Sequence, residues 1–286
     1  MADTPRSALA RLALAVLLVA GGAGCSTEFS PQDESDVYFS LWGYLDAAAD
    51  TQWVRVTPVR ATVDRDLVPL GAEVALERVA TGERWPMQDS VFAYADGFAA
   101  HNLWTTARVL PDETYRVVVR RDDGAETVAT VEIPDQFERP RVVDGIFSCP
   151  TQIVVSGVER VVDATAVYRD VATGDVRRLP KLQAITAHEG GGTVEVFFGD
   201  DAIEIEADPI DIRKTDASVV VAVGTAAWPD LVGLDTEALA LPRGAGRIEN
   251  GVGFVGGVIT WELPFIPGWG NSPKPGETPE PCLDES

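Results

Sequence analysis

The chain is short of basic residues. It holds 23 Lys and Arg against 45 Asp and Glu, a formal net charge of −22. Three of the bases are lysines, Lys181, Lys214 and Lys274. Such a surface repels phosphate backbones, which excludes nucleic acid as a partner. It also disfavours direct docking on anionic lipid. Histidine is scarcer still: His101 and His188 fall in different segments, and His188-Glu189 runs into three glycines with no second His, so no H-E-x-x-H zinc motif is present. The three cysteines, Cys25, Cys149 and Cys282, are too far apart to suggest a thiolate metal cluster. No G-x-S-x-G elbow, P-loop or strand-linked G-x-G-x-x-G occurs, which leaves serine-hydrolase, nucleotide-hydrolysing and dinucleotide-binding chemistry without a signature. Long hydrophobic runs are absent too. Leu12–Ala20 is the longest, and nine residues fall short of the about 17–25 that span a bilayer. No transmembrane helix is expected.

What is present begins at the N-terminus. Arg6 and Arg11 make a basic start, Leu12–Ala20 an apolar stretch, and Gly21-Gly22-Ala23-Gly24 a run of small residues before Cys25. Basic, apolar, small is the order of a secretory signal peptide, here residues 1–24. A cysteine directly after small residues resembles the lipobox of bacterial lipoproteins, although Gly22 stands where that motif usually carries an aliphatic residue. The resemblance implies a diacylglyceryl thioether on Cys25, cleavage before it, acylation (palmitate-type) of the new amine, and attachment to the bilayer through those chains. Several acyl chains at about 0.8 kcal/mol per buried CH₂ give a stable anchor. Ser26 in the following position is compatible with sorting to the outer membrane. The alternative is a plain secreted protein cleaved nearby.

Assigning Cys25 to the lipid leaves Cys149 and Cys282. Beyond the inner membrane, free thiols tend to oxidise. A Cys149–Cys282 disulfide would close a long loop and pin the tail, worth about 4–5 kcal/mol in the chain-entropy model; two unpaired thiols are the other reading. Residues 25–36 are polar and aperiodic, as a tether would be.

From Val37 onward the texture is β. Val54 and Val56 alternate with Arg55 and Thr57, and Val74 and Leu76 with Glu73 and Glu77. Turn residues recur every 8–12 positions, which predicts an all-β chain of two immunoglobulin-like or β-sandwich units. These are an N-terminal unit over 37–134 and a second β-rich domain over 135–268, followed by a proline-rich extended tail over 269–286. The turn Val171-Ala172-Thr173-Gly174-Asp175 echoes Val79-Ala80-Thr81-Gly82-Glu83. Strands are expected at Leu182–His188 and Ile203–Glu206 among others, and one short helix at 228–240. Leu110-Pro111-Asp112-Glu113-Thr114-Tyr115 resembles the L-x-P-x-T-x-Y approach to a strand in fibronectin-type and other immunoglobulin-like sandwiches. That resemblance gives Tyr115 a structural role, its hydroxyl bonding to backbone in a tyrosine corner.

Candidate chemistry is sparse. Asp200-Asp201 and Asp208-x-x-Asp211 could supply oxygens to calcium, which favours clustered acids on loops, but neither follows the spaced EF-hand pattern. No other cofactor is expected. With so many acids, close carboxylate pairs arise by chance. A zinc site built on the two histidines has little to support it, and a two-carboxylate glycosidase has no specific motif. Trp42, Trp53, Trp85 and Trp104 cluster in the first unit; they serve either as core aromatics or as a platform on which sugars stack. Trp53, out of phase with Val54 and Val56, faces solvent or a second sheet.

The lipobox cysteine, Phe39-Ser40-Leu41-Trp42-Gly43-Tyr44-Leu45, Leu110–Tyr115 and Ile248-Glu249-Asn250-Gly251-Val252-Gly253-Phe254 together resemble a family of surface lipoproteins of unknown function from Bacteroidetes-type bacteria. The resemblance implies an immunoglobulin-like N-terminal domain and a neighbourhood of outer-membrane transport. It implies no reaction. The expectation is therefore a non-enzymatic, lipid-anchored binding or assembly protein of the cell envelope, with an outer-membrane transporter as partner and any glycan ligand unspecified. An anchored polysaccharide hydrolase or glycan-binding module is the alternative.

Overall fold

The computed structural model describes residues 37–59, 70–93, 99–143, 150–205, 215–229 and 247–266. All of these lie in the unit spanning Asp36–Ser286. Cys25, Cys149, Cys282, Asp208 and Asp211, the leader, the tether and the tail fall outside the described residues.

The chain is all-β. In order, the strands are β1 (Phe39–Asp46), β2 (Gln52–Pro58), β3 (Ala72–Arg78), β4 (Arg84–Pro86), β5 (Gln88–Ala93), β6 (Ala99–Thr105), β7 (Thr114–Arg121) and β8 (Glu126–Glu132). They continue with β9 (Arg141–Val143), β10 (Thr151–Ser156), β11 (Arg160–Asp170), β12 (Val176–Pro180), β13 (Ile185–His188) and β14 (Gly191–Val196). An α-helix, α1 (Phe198–Glu204), precedes β15 (Thr215–Gly224), β16 (Ile248–Glu249) and β17 (Gly251–Phe265). An eight-stranded sheet has the order β12-β11-β15-β17-β1-β2-β6-β5. A five-stranded sheet, β16-β8-β7-β3-β4, and a four-stranded sheet, β13-β14-β10-β9, complete the set. Strands β8 and β16 lie against β17 and β1, while β13 and β14 lie against β11. The large sheet is thus the common layer onto which two smaller sheets pack. One hydrophobic core runs through all three, from Leu41, Val56 and Val117 to Ile153, Val194 and Val221.

Alternation explains which face is buried. In β2, Val54 and Val56 turn inward while Trp53, Arg55 and Thr57 face out. In β8 the inward set is Thr127, Ala129 and Val131. The eight-stranded sheet draws strands from both sides of residue 134: β17 pairs in parallel with β1, with Phe39 opposite Gly251 and Asp46 opposite Val258, and antiparallel with β15. The Ile248–Phe254 segment makes this possible. Ile248 and Glu249 pair with β8 in the five-stranded sheet. Asn250 then takes a left-handed φ of 53°, a conformation asparagine tolerates. Its carbonyl accepts from Thr127 Oγ1 at 2.7 Å, and the chain crosses into the large sheet.

The expected turns form. Gly82 and Gly174 have φ of 68° and 77°. Their amides donate to Arg78 and Asp170 carbonyls at 2.9 and 2.8 Å, so the two echoing sequences make the same hairpin closure. Tyr115 is fully buried, and its hydroxyl accepts from the Leu110 amide at 3.0 Å, the corner its sequence context suggested. Residues 134–140 carry no strand.

Three local expectations need correction. Of the strand expected at Ile203–Glu206, Ile203 and Glu204 instead end α1, because Phe198 and Ala202, four apart, drop into the core from one helical face, and Glu206 lies outside the described residues. Leu182–Ala184 is a 3₁₀ turn, and β13 begins only at Ile185. Of the helix expected at 228–240, Trp228 and Pro229 are described and are not helical; the remainder lies outside the described residues. Trp228 instead folds over the large sheet, its Nε1 donating to the Gly257 carbonyl at 2.9 Å. It covers Val162, Ala222 and Val258. Any Cβ at Gly224 or Gly256 would come within 2.4 Å of its ring, so only glycine admits it.

Candidate functional site

The feature that stands out is the open face of β1, β2, β6 and β5. Trp42, Tyr44, Trp53 and Phe92 are 41%, 53%, 42% and 46% exposed, and Trp104 is partly so. Register places them in order. Tyr44 sits opposite Trp53, Trp53 opposite Trp104, and Trp104 opposite Gln88. A line of rings therefore crosses the strands on one face. Scattered exposed hydrophobics are ordinary, whereas a contiguous exposed patch marks an interaction surface. The cause lies in the sequence phase: Trp53 alternates with Val54 and Val56, and Trp104 with Leu103 and Thr105, so burying one set exposes the other.

The rings are held without facing one another flat. Trp53 and Trp104 lie 6.1 Å apart at 34°, and Trp53 and Phe92 5.9 Å apart at 55°. Trp42 Nε1 donates to Ser40 Oγ at 2.7 Å, fixing that indole. The neighbouring row is polar: Trp42 is opposite Arg55, Arg55 opposite Asn102, and Asn102 opposite Ser90. Arg55 Nε reaches Asn102 Oδ1 at 3.4 Å. Burial and neighbouring Asp46 and Asp163 push the Tyr44 phenol up from its ordinary value, so it stays a neutral hydrogen-bond donor at neutral pH. Beneath the face, buried His101 pairs through Nδ1 with Asp89 Oδ2 at 2.6 Å.

Trp104 also lines an open cleft of about 620 Å³, together with Trp85, Gln88, Glu83, Arg78 and Arg108. The cleft lies where β4, at the rim of the five-stranded sheet, meets β5 and β6. Arg78 forms an ion pair with Glu113. That bond holds the Glu113 carboxyl below its usual range.

A second cleft, about 360 Å³, is lined by Asp112, Glu132, Asp135, Phe137 and Glu159 among others. A hydrogen bond that the protonated Asp112 carboxyl donates to Asp135, and the repulsion between the two charges, push the Asp112 carboxyl up. Nothing in the local sequence marks Asp135 as the partner of Asp112; only the fold brings them together.

Asp201, singled out as a calcium candidate, is fully buried. Its two oxygens accept from the Lys181 ammonium and the Tyr168 hydroxyl, so it knits α1 to β11 and to the residue after β12. Asp200 beside it is half-buried. His101 and His188 lie in different sheets, on β6 and β13. Among the described residues no three His, Cys, Asp or Glu side chains converge as a metal site would require. No described helix is long and apolar enough to cross a membrane.

No protein-family model and no curated protein matches the chain. Solved structures give distant likenesses. A pullulanase from Anoxybacillus sp. LM18-11 is 12% identical with a TM-score of 0.23, over 64% of this chain and 24% of that one. The same pullulanase complexed with maltotriose gives 13% and 0.22, again over 64% and 24%. Bovine butyrophilin gives 13% and 0.18, over 64% of this chain and 87% of that one. The match thus spans about a quarter of the pullulanase chain, and at these scores the likenesses carry no argument about function.

Proposed function

We propose that the chain is a lipid-anchored, non-enzymatic binding protein of the bacterial cell envelope, with the aromatic face of β1, β2, β6 and β5 as its working surface. The observation that carries the reading is the contiguous exposed row Tyr44–Trp53–Trp104, flanked by Trp42 and Phe92. Leaving such rings in water forgoes roughly 25 cal/mol of stabilisation per Å² of apolar surface. A fold with ample core elsewhere has no need of that sacrifice unless the surface meets something. The leader and Cys25 support attachment through acyl chains, and Ser26 supports the outer membrane. An outer-membrane transporter is the neighbour with which the protein would work, and immunoglobulin-like organisation of its first half accords with the Tyr115 corner.

Two measurements test this. Replacing Cys25 with Ala should abolish labelled-lipid incorporation and release the protein from membranes; unchanged retention refutes the anchor. A photo-reactive residue in place of Arg55 should give discrete adducts in the intact envelope that the same residue at exposed Arg116 does not. Identical patterns at both positions would remove the aromatic face as the working surface.

A further inference from the structure

Resting on the reading of this face as the working surface, we infer that its ligand is a neutral polysaccharide chain, lying across the strands from Tyr44 over Trp53 and Trp104 and into the cleft beside Trp85. Strands in a sheet are about 4.8 Å apart. The Trp53 and Trp104 rings, on neighbouring strands, lie 6.1 Å apart, a step comparable with the length of one pyranose unit. The tilt between Trp53 and Trp104, and between Trp53 and Phe92, leaves each ring with a free face rather than stacking it on its neighbour. A pyranose presents a face of C–H groups to such a ring and a rim of hydroxyls to whatever lies beside it. That rim meets Arg55, Asn102 and Ser90 in the adjacent row, which offer both donors and acceptors. A surface made to enter lipid would instead surround its rings with further apolar groups.

Charge decides between classes of polymer. The chain carries −22 overall, so an anionic polysaccharide approaches against long-range repulsion. On the four strands Arg55 is exposed in the polar row, while Asp46 is buried and Asp89 is paired with His101. In the cleft, Glu113 already neutralises Arg78. The lining left for a ligand combines two indoles, Trp85 and Trp104, and the amide of Gln88 with one charge of each sign, Glu83 and Arg108, a set with no net charge to hold an anionic chain. Trp104 belongs to both row and cleft, which makes them one continuous track.

The test is affinity electrophoresis of the full mature chain through gels containing xyloglucan, galactomannan, laminarin or pullulan, with alginate and phosphatidylcholine vesicles as competing surfaces. At least one neutral polymer should retard the protein. Trp53→Ala and Trp104→Ala should each weaken that retardation on the order of tenfold, while each variant still unfolds in one cooperative transition, its midpoint lowered only by the lost ring contacts. Retardation that survives both substitutions overturns the inference. So does retardation by alginate alone, or binding to vesicles with none to any neutral polymer. If no neutral polymer binds but the Arg55-directed adducts persist, the glycan assignment fails and the binding-face reading stands. If the adducts vanish as well, both fail.

Discussion

Asp201 shows how a single buried charge is made tolerable. An isolated carboxylate in the core would cost several kcal/mol, and here Lys181 and Tyr168 offset that cost by donating to both of its oxygens. Burial still pushes its carboxyl up from the ordinary value, partly opposed by those two donors. Burial and the adjacent carboxylate likewise push the Tyr168 phenol up, so it stays protonated as a donor. The pH consequence follows from linkage. A folded-state pKa above the unfolded one means the folded protein binds the proton more tightly. The contribution of Asp201 to stability is therefore fullest below about 3.9, the unfolded value, and falls as pH rises through the folded value. Asp201→Asn should remove that decline, so the urea-midpoint gap between wild type and variant narrows or reverses as pH rises over this window. A gap that widens with pH would contradict the sign. Lys181→Met, which leaves Asp201 buried and unpaired, should cost about 3–5 kcal/mol near neutral pH by the same assay.

At the level of elements, the two echoing turns were legible in the sequence, and they behave as a matched pair. A Cβ at Gly82 or Gly174 would meet nothing within 4 Å, so replacement is opposed only by the left-handed backbone. Gly82→Ala and Gly174→Ala should each destabilise by about 1 kcal/mol and add within about 0.5 kcal/mol, as separated sites do. Chemical denaturation of the two single variants and the double would show it; a cost above about 3 kcal/mol at either would point to a packing role. Tyr115 was legible for the same reason as the turns: its partner, the Leu110 amide, lies five residues away. Helix α1 was not. Phe198-Gly199-Asp200-Asp201-Ala202 reads locally as strand and turn. It becomes a helix because Phe198 and Ala202 find core on one side and Asp201 finds Lys181 and Tyr168.

For the whole molecule, the decisive contact is the parallel seam between β1 and β17. It joins the beginning of the described fold to its end and places strands from both sides of residue 134 in one sheet over one core. Tryptophan fluorescence and far-ultraviolet circular dichroism should therefore report a single, coincident unfolding transition. Two resolved transitions would show that the halves are energetically independent despite the shared sheet.

The aromatic row divides along the same line. Sequence phase alone determined that Trp53 and Trp104 would lie opposite to valine and leucine on their strands, because strand side chains alternate with a period of two. It likewise determined the all-β class, the turns and the acidic, lysine-poor surface, each of which depends on composition or on neighbours a few residues apart. Only the tertiary structure decided that Tyr44, Trp53 and Trp104 stand side by side, that Trp104 also opens onto a cleft beside Trp85, and that Asp201 is a buried strut rather than a surface acid. Those facts depend on which strands pair and in what register. Register is set by burying one whole face of every strand at once, a condition that no local stretch of sequence contains.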